Sequence, residues 1–138
     1  MTHESNVSAT MKSRMDECIA LCLECARACE DCGAECVSME MKGMAECIAA
    51  CRDCADLCLL DAQLMSRNSP HHFATCATCA DACERCAAEC ERLAKSHPGE
   101  AARLLETCAK ACRACGTSCR AMSEHGSHET AASCCGGQ

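Results

Sequence analysis

The sequence has no tryptophan, no tyrosine, one phenylalanine (Phe73) and only two prolines in 138 residues. Aliphatic bulk is nearly as scarce, since Leu, Ile, Val and Phe together number 14. With a net charge of −7, so small an apolar share is the usual mark of disorder. An ordinary oily core is therefore excluded. A nucleic-acid surface is excluded too, because it wants net positive charge and stacking aromatics, whereas 20 acidic residues face 13 basic ones here. No apolar run reaches the 18 residues that a membrane span needs. The length suits one domain.

What fills the gap is cysteine, 21 residues, beside 25 alanines. The polar start, residues 1–10, has neither an apolar signal core nor a twin-arginine motif, so a cytoplasmic chain with reduced thiols is expected. A secreted disulfide scaffold fits badly, because the cysteine count is odd and Gly and Pro are few. Disulfides along one helix fit no better, since the side-chain vectors at these spacings suit the S–S dihedral poorly.

The cysteines fall into four blocks and a tail pair. The blocks are Cys18, Cys22, Cys25, Cys29, Cys32 and Cys36; Cys47, Cys51, Cys54 and Cys58; Cys76, Cys79, Cys83, Cys86 and Cys90; and Cys108, Cys112, Cys115 and Cys119. Within each block the steps alternate between three and four, the inward seam of a heptad helix with thiols in place of leucines. Helix formers occupy the positions between them. The first helix is predicted over residues 10–39, and Gly43 interrupts it before a second that starts near Met44. Ser69 and Pro70 read as the N-cap and first position of the third, and Pro98 again suits a helix start. Connections this short force antiparallel neighbours. The expected fold is all-α, an antiparallel up-down-up-down four-helix bundle with a cysteine-lined core over residues 10–125. Residues 1–9 read as a flexible N-terminus and residues 126–138 as a flexible Cys/Gly tail bearing Cys134 and Cys135.

Cysteine makes a poor passive core, because each Leu-to-Cys deficit costs on the order of 1 kcal/mol of burial. Thiolates bind soft metals: Cu(I), Zn(II) or iron in clusters. Charge discriminates among them. A Cu⁺ that displaces one thiol proton leaves the interior charge unchanged, and thiolates bridging two coppers would bring the ratio near one copper per seam cysteine. A tetrahedral Zn(Cys)₄ site carries −2 instead, with no Lys or Arg in the seams to offset it. A near-linear S–Cu–S bridge asks for sulfurs about 4.5 Å apart, twice a bond of roughly 2.3 Å. Pairs such as Cys76 and Cys79 lack the βαβ setting of redox motifs. Iron–sulfur ligation wants loops wrapping a cluster rather than helices that run on through the ligands.

The four blocks and the Met-rich turn Met39-Glu-Met41-Lys-Gly-Met44 resemble the bacterial copper storage proteins, in particular their cytosolic branch. The resemblance spans about residues 10–125. It implies a Cu(I)-filled four-helix bundle that associates as a homotetramer and stores copper on the 19 seam cysteines.

Antiparallel packing sorts the other soft ligands to two ends. Met39, Met41, Met44, His97 and Cys108 gather at one end. Met11, Met15, Asp61, Met65, His71, His72, Met122 and His125 gather at the other. Met39 and Met44 lie three residues from a seam cysteine; with Asp61 and His97 they complete the candidate ligand set. Two readings stand for these methionines, a weak Cu(I) port or plastic core filler. Asp61 and His72 are in register with Cys58 and Cys76, yet a carboxylate at such a place is more often solvated, and His71 and His72 fit a surface turn equally well. Leu57, Leu60 and Leu64 form a second stripe, for contact between bundles or for side packing. Nothing in the sequence says which end admits metal.

The function expected is cytosolic storage of many Cu(I) ions, about one per core cysteine, with no catalytic role. The partners expected are copper ions, further copies of the chain, and a copper-exchanging chaperone or small ligand, but neither nucleic acid nor membrane. A metallothionein-like Zn/Cd buffer and an iron–sulfur electron carrier are the alternatives.

Overall fold

A computed structural model describes the backbone of residues 3–136 and the side chains of residues 9–125. Four helices make up the chain: α1 (His3–Ser38), α2 (Ala45–Ser66), α3 (His72–Ala94) and α4 (Glu100–Gly136). They pack in a ring, each against its two neighbours in the order α1, α2, α3, α4 and back to α1. Connections over residues 39–44, 67–71 and 95–99 leave room only for chain reversal, so neighbours run antiparallel,. The up-down-up-down bundle expected from the cysteine spacing is the fold observed.

The ends of α1 and α2 share one device. Met41 N–H donates to Cys36 O and Glu40 N–H to Val37 O, while Glu40 sits at φ 51°. Ser69 N–H donates to Leu64 O and Asn68 N–H to Met65 O, with Asn68 at φ 50°. Both are Schellman closures, whose pivotal residue is left-handed. Asn tolerates that conformation, but Glu does so only at a cost. The first closure also explains why Met41 is buried: the residue after the pivot folds back onto the last turn of the helix.

Helix boundaries depart from expectation in three places. α1 begins at His3 and α4 continues to Gly136, both beyond the predicted 10–125 span, and the side chains of Cys134 and Cys135 lie outside the described residues. α3 begins at His72, two residues past Pro70. Ser69 nonetheless serves the start of that turn, its hydroxyl oxygen accepting from His71 N–H at 3.2 Å.

Alanines and one glycine set how closely the helices approach. Ala26, Ala50, Ala55, Ala62, Ala80, Ala87 and Ala109 are buried beside the thiols. At Gly116 a Cβ would stand 3.2 Å from Cys83 Cβ and 3.7 Å from Ala80 O, so α4 meets α3 there almost backbone to backbone. Ion pairs on the outer surface cross two of the seams. Arg85–Asp53 and Arg92–Glu46 join α2 to α3, and Arg113–Glu91 and Arg120–Asp81 join α3 to α4. Among the described residues no helix is long and apolar enough to cross a membrane.

Candidate metal centre

All 19 seam cysteines are buried and carry free thiols. Side chains that recur every three or four residues share one helix face, so each helix turns its row of sulfurs to the bundle axis. The four rows meet. At the polar end Cys18 and Cys22 lie 3.7 and 3.6 Å from Cys119, and Cys22 lies 3.6 Å from Cys115. Cys58 continues the line, 3.9 Å from Cys115 and 3.6 Å from Cys79. In the middle Cys54 stands 3.6 Å from Cys83 and 3.7 Å from Cys25, while Cys29 reaches Cys112 at 3.6 Å and Cys86 at 3.8 Å. Cys86 to Cys51 at 3.6 Å and Cys47 to Cys90 at 3.7 Å carry the line onward. The metal-free thiols thus touch one another and fill the axis. A linear S–Cu–S bridge, about 4.6 Å across, would require touching pairs to spread by less than about 1 Å, within reach of small side-chain rotations.

The thiols form sets of four whose sulfurs all lie within 4.8 Å of one another, and the sets overlap. Cys25 and Cys54 belong both with Cys58 and Cys83 and with Cys29 and Cys112; Cys29 and Cys112 belong again with Cys86 and Cys108. A sulfur shared by two sets can serve both only by bridging. The thiols therefore form one continuous, overlapping array rather than a row of separate four-thiol sites.

Charge inside the array is sparse. Asp61 and His72 are the buried polar side chains among the described residues, so no lysine or arginine is on hand to neutralise anionic metal sites. Asp61 is fully buried, not solvated, and its carboxylate accepts from three thiols: Cys76 at 3.2 Å, Cys119 at 3.5 Å and Cys22 at 3.8 Å. Burial pushes its pKa up to about 7, against the downward pull of the Cys76 thiol. Burial likewise pushes Cys36 up to about 12, with the neighbouring Cys32 adding to the shift. Metal must displace protons that these sites hold firmly.

The two ends differ in kind. His72 is buried beside Phe73, their ring centroids 4.0 Å apart, whereas His71 is exposed. Met65 and Met122 are buried too, and Met65 Sδ lies 3.9 Å from Cys76 Sγ. One end therefore gathers a carboxylate, an imidazole and two thioethers against the thiols. The opposite end is closed by Leu93, Leu105 and Met41, all buried. Of the ligands expected there, Met39 is 39% exposed and Met44 half-buried. His97 is also half-buried, its Nδ1–H donating to Leu93 O at 3.0 Å. The structure brings Asp61 into contact with the thiols, while Met39 is exposed and His97 is bonded to the backbone of Leu93. The plug of Leu93 and Leu105 was missed in the sequence, although both sit three residues from a seam cysteine, Cys90 and Cys108, and continue the same rows.

Known proteins agree with this architecture. The apo form of copper storage protein 3 from Bacillus subtilis superposes with a TM-score of 0.68, at 37% identity over 78% of this chain and 97% of that one. The Cu(I)-bound copper storage protein BsCsp3 gives 0.69, at 35% identity over 80% and 98%. A cytosolic copper storage protein from Streptomyces lividans, in a copper-loading structure with five coppers, gives 0.75, at 32% identity over 84% and 97%. The profile of the copper storage protein family matches residues 11–124. The chain belongs to the copper storage protein family.

Proposed function

We propose that the protein is a cytosolic store for many Cu(I) ions, held on the 19 seam thiols at about one copper per cysteine. The observation that carries this reading is the overlap of the four-thiol sets in a core with no buried cation. Bridging thiolates let each Cu⁺ enter as one proton leaves, so charge does not build up however many ions enter. Zinc, with −2 at every tetrahedral site, would accumulate buried negative charge along the array, which weighs against a metallothionein-like Zn/Cd buffer. Continuous helices through every ligand weigh against an iron–sulfur carrier,. The Cu(I)-bound and copper-loading relatives support the same reading, and the cytosolic relative supports the location.

Copper is cargo here, not a catalyst. We place its admission at the Asp61 end, where polar and thioether groups reach the thiols, and a barrier at the Leu93–Leu105 end. Self-association into a tetramer and exchange with a chaperone or small ligand complete the proposal, the first on family resemblance and the second because metal buried this deeply needs an acceptor to leave. Anaerobic titration of the reduced protein with Cu(I) in a weak chelator tests the store directly. Uptake near 19 equivalents is the expected result; saturation at one or two would overturn it.

A further inference from the structure

The outer side of the α1–α4 seam is hollow. A cavity of about 700 Å³ lies between Arg14, Glu17 and Leu21 of α1 and Thr117, Ser118 and Met122 of α4. A second, of about 310 Å³, adjoins it and shares Leu21 and Ala114 as lining residues. Small side chains, Ala114, Thr117, Ser118 and Ala121 in the first and Thr107, Ala111 and Ala114 in the second, leave room on the α4 side.

This seam also lacks the clasps of the other side of the bundle. Ion pairs tie α2 to α3 and α3 to α4, but none joins α1 to a neighbour among the described residues. On its outer side a side-chain hydrogen bond crosses the seam between Arg14 and His125, the guanidinium donating to Nε2 at 2.9 Å. Arg14 therefore faces an imidazole rather than a carboxylate across the seam. Arg113, at the same cavity, is held by Glu91 at 2.8 Å. The wall behind is thin. Ser118 lines the cavity, the next residue in the chain is the buried Cys119, and Cys119 stands 3.7 Å from Cys18.

We propose that this cavity is the docking site for an anionic low-molecular-weight thiol complex of Cu(I), a two-coordinate bis(thiolate) whose thiols carry carboxylates. The inference rests on the copper-storage reading and adds to it the form in which metal arrives and the wall through which it passes. The volume suits a small-molecule ligand, for which about 300–1,000 Å³ is usual. A chain of net charge −7 repels such a carrier in general, so approach requires a local cation. The lining carries two arginines, Arg14 and Arg113, against one carboxylate, Glu17, and Arg14 has the fork geometry that holds a carboxylate. Transfer is ligand exchange without redox change. Cys18 sulfur bonds to copper as one carrier thiolate leaves, and the Cys18 proton goes to that thiolate, releasing a neutral thiol. Copper is then bound by Cys18 and the second carrier thiol, which a neighbour such as Cys119 displaces in the same way.

The test compares two copper donors against the reduced, metal-free full chain by anaerobic stopped flow. One donor is the Cu(I)–glutathione complex; the other is Cu(I) in acetonitrile, which carries no carboxylate. Arg14→Glu is expected to slow uptake from glutathione roughly tenfold or more at low ionic strength, to leave uptake from acetonitrile no slower, and to keep the final capacity. Ala121→Trp, which fills the cavity without altering charge, should slow the glutathione donor in the same selective way. Wild-type rates from glutathione in both variants would overturn the proposal, and so would equal slowing from the two donors. Failure of the wild-type protein to take up many coppers from either donor would instead refute the storage reading.

Discussion

Cys76 Sγ stands 3.2 Å from Asp61 Oδ1, a thiol donating to a carboxylate that solvent does not reach. The contact joins α3 to α2 at the polar end of the bundle, and it makes Asp61 a titrating group in the core. Its folded pKa, about 7, lies above the ordinary carboxylate value of 3.8 because burial disfavours the charge. The native state therefore holds the proton longer than the unfolded chain does, and stability falls as pH rises between those values. Below about pH 4 both states are protonated and the penalty vanishes; above about pH 7 it is fully present. We expect the thermal midpoint of the metal-free protein to decline from pH 5 to pH 8, and Asp61→Asn to remove much of that decline. The penalty is on the order of a few kcal/mol, enough to shift a midpoint by several degrees. A midpoint in Asp61→Asn that falls as steeply as the wild type would contradict the buried charge.

Sulfurs shared between sets should count for more than one metal each. Cys29 is a member of two four-thiol sets and touches Cys112 and Cys86, while Cys36 sits near the plugged end. Cys29→Ala is expected to lower copper capacity by more than one equivalent, because two neighbouring sites lose a bridge. Cys36→Ala should lower it by one or less. Equal losses measured by metal analysis after chelator competition would show that the sites act independently.

Glu40 holds φ 51° at the pivot of the first helix closure, a conformation that costs most L-residues about 1–2 kcal/mol. Glycine adopts it freely but has more freedom to lose on folding. The two effects partly cancel, leaving Glu40→Gly about 0.5–1 kcal/mol more stable than the wild type. Asn68 occupies the matching position after α2, where the strain is smaller, so Asn68→Gly should change stability less. Denaturant midpoints of the two variants, compared at constant slope, check the ranking.

How far the sequence carries the structure depends on whether helical register holds. The three-and-four rule placed every seam cysteine, and carried past the cysteines it put Asp61 beside Cys58 and His72 beside Cys76. Its geometry was sound there: carboxylates are more often solvated, yet Asp61, a candidate ligand by register, is buried against the thiols. The same rule puts Met39 in register with Cys36, but α1 ends at Ser38, Met39 is exposed, and after the closure it is Met41 that is buried. No spacing argument sees a left-handed Glu40 coming. Leu93 and Leu105 are legible by the same register, three residues beyond Cys90 and three before Cys108. The cavity between α1 and α4 was not legible, since it depends on how far two helices stand apart rather than on what either presents inward.

Proton release decides between the metals more sharply than affinity does. The interior has no buried lysine or arginine among the described residues, so the charge of the loaded array is set by metal charge minus protons lost. The first copper, held by two thiols, must release two protons, but each later one that shares a bridging thiolate adds only about one, so a pH-stat should record a ratio that settles near one proton per copper and a filled core close to the charge of the empty one. Filling by Zn²⁺ in four-thiolate sites would release up to four protons per metal and leave −2 at each site. Because thiols must ionise to bind, apparent Cu(I) affinity should fall with acid, by about tenfold per pH unit for each proton released. A ratio that begins near two and settles at one as neighbouring coppers come to share thiolates is therefore the expected signature of exchange along a bridged array. A ratio that holds at two or more through the whole titration would mean that copper occupies separate anionic sites, and the bridged array would have to be abandoned.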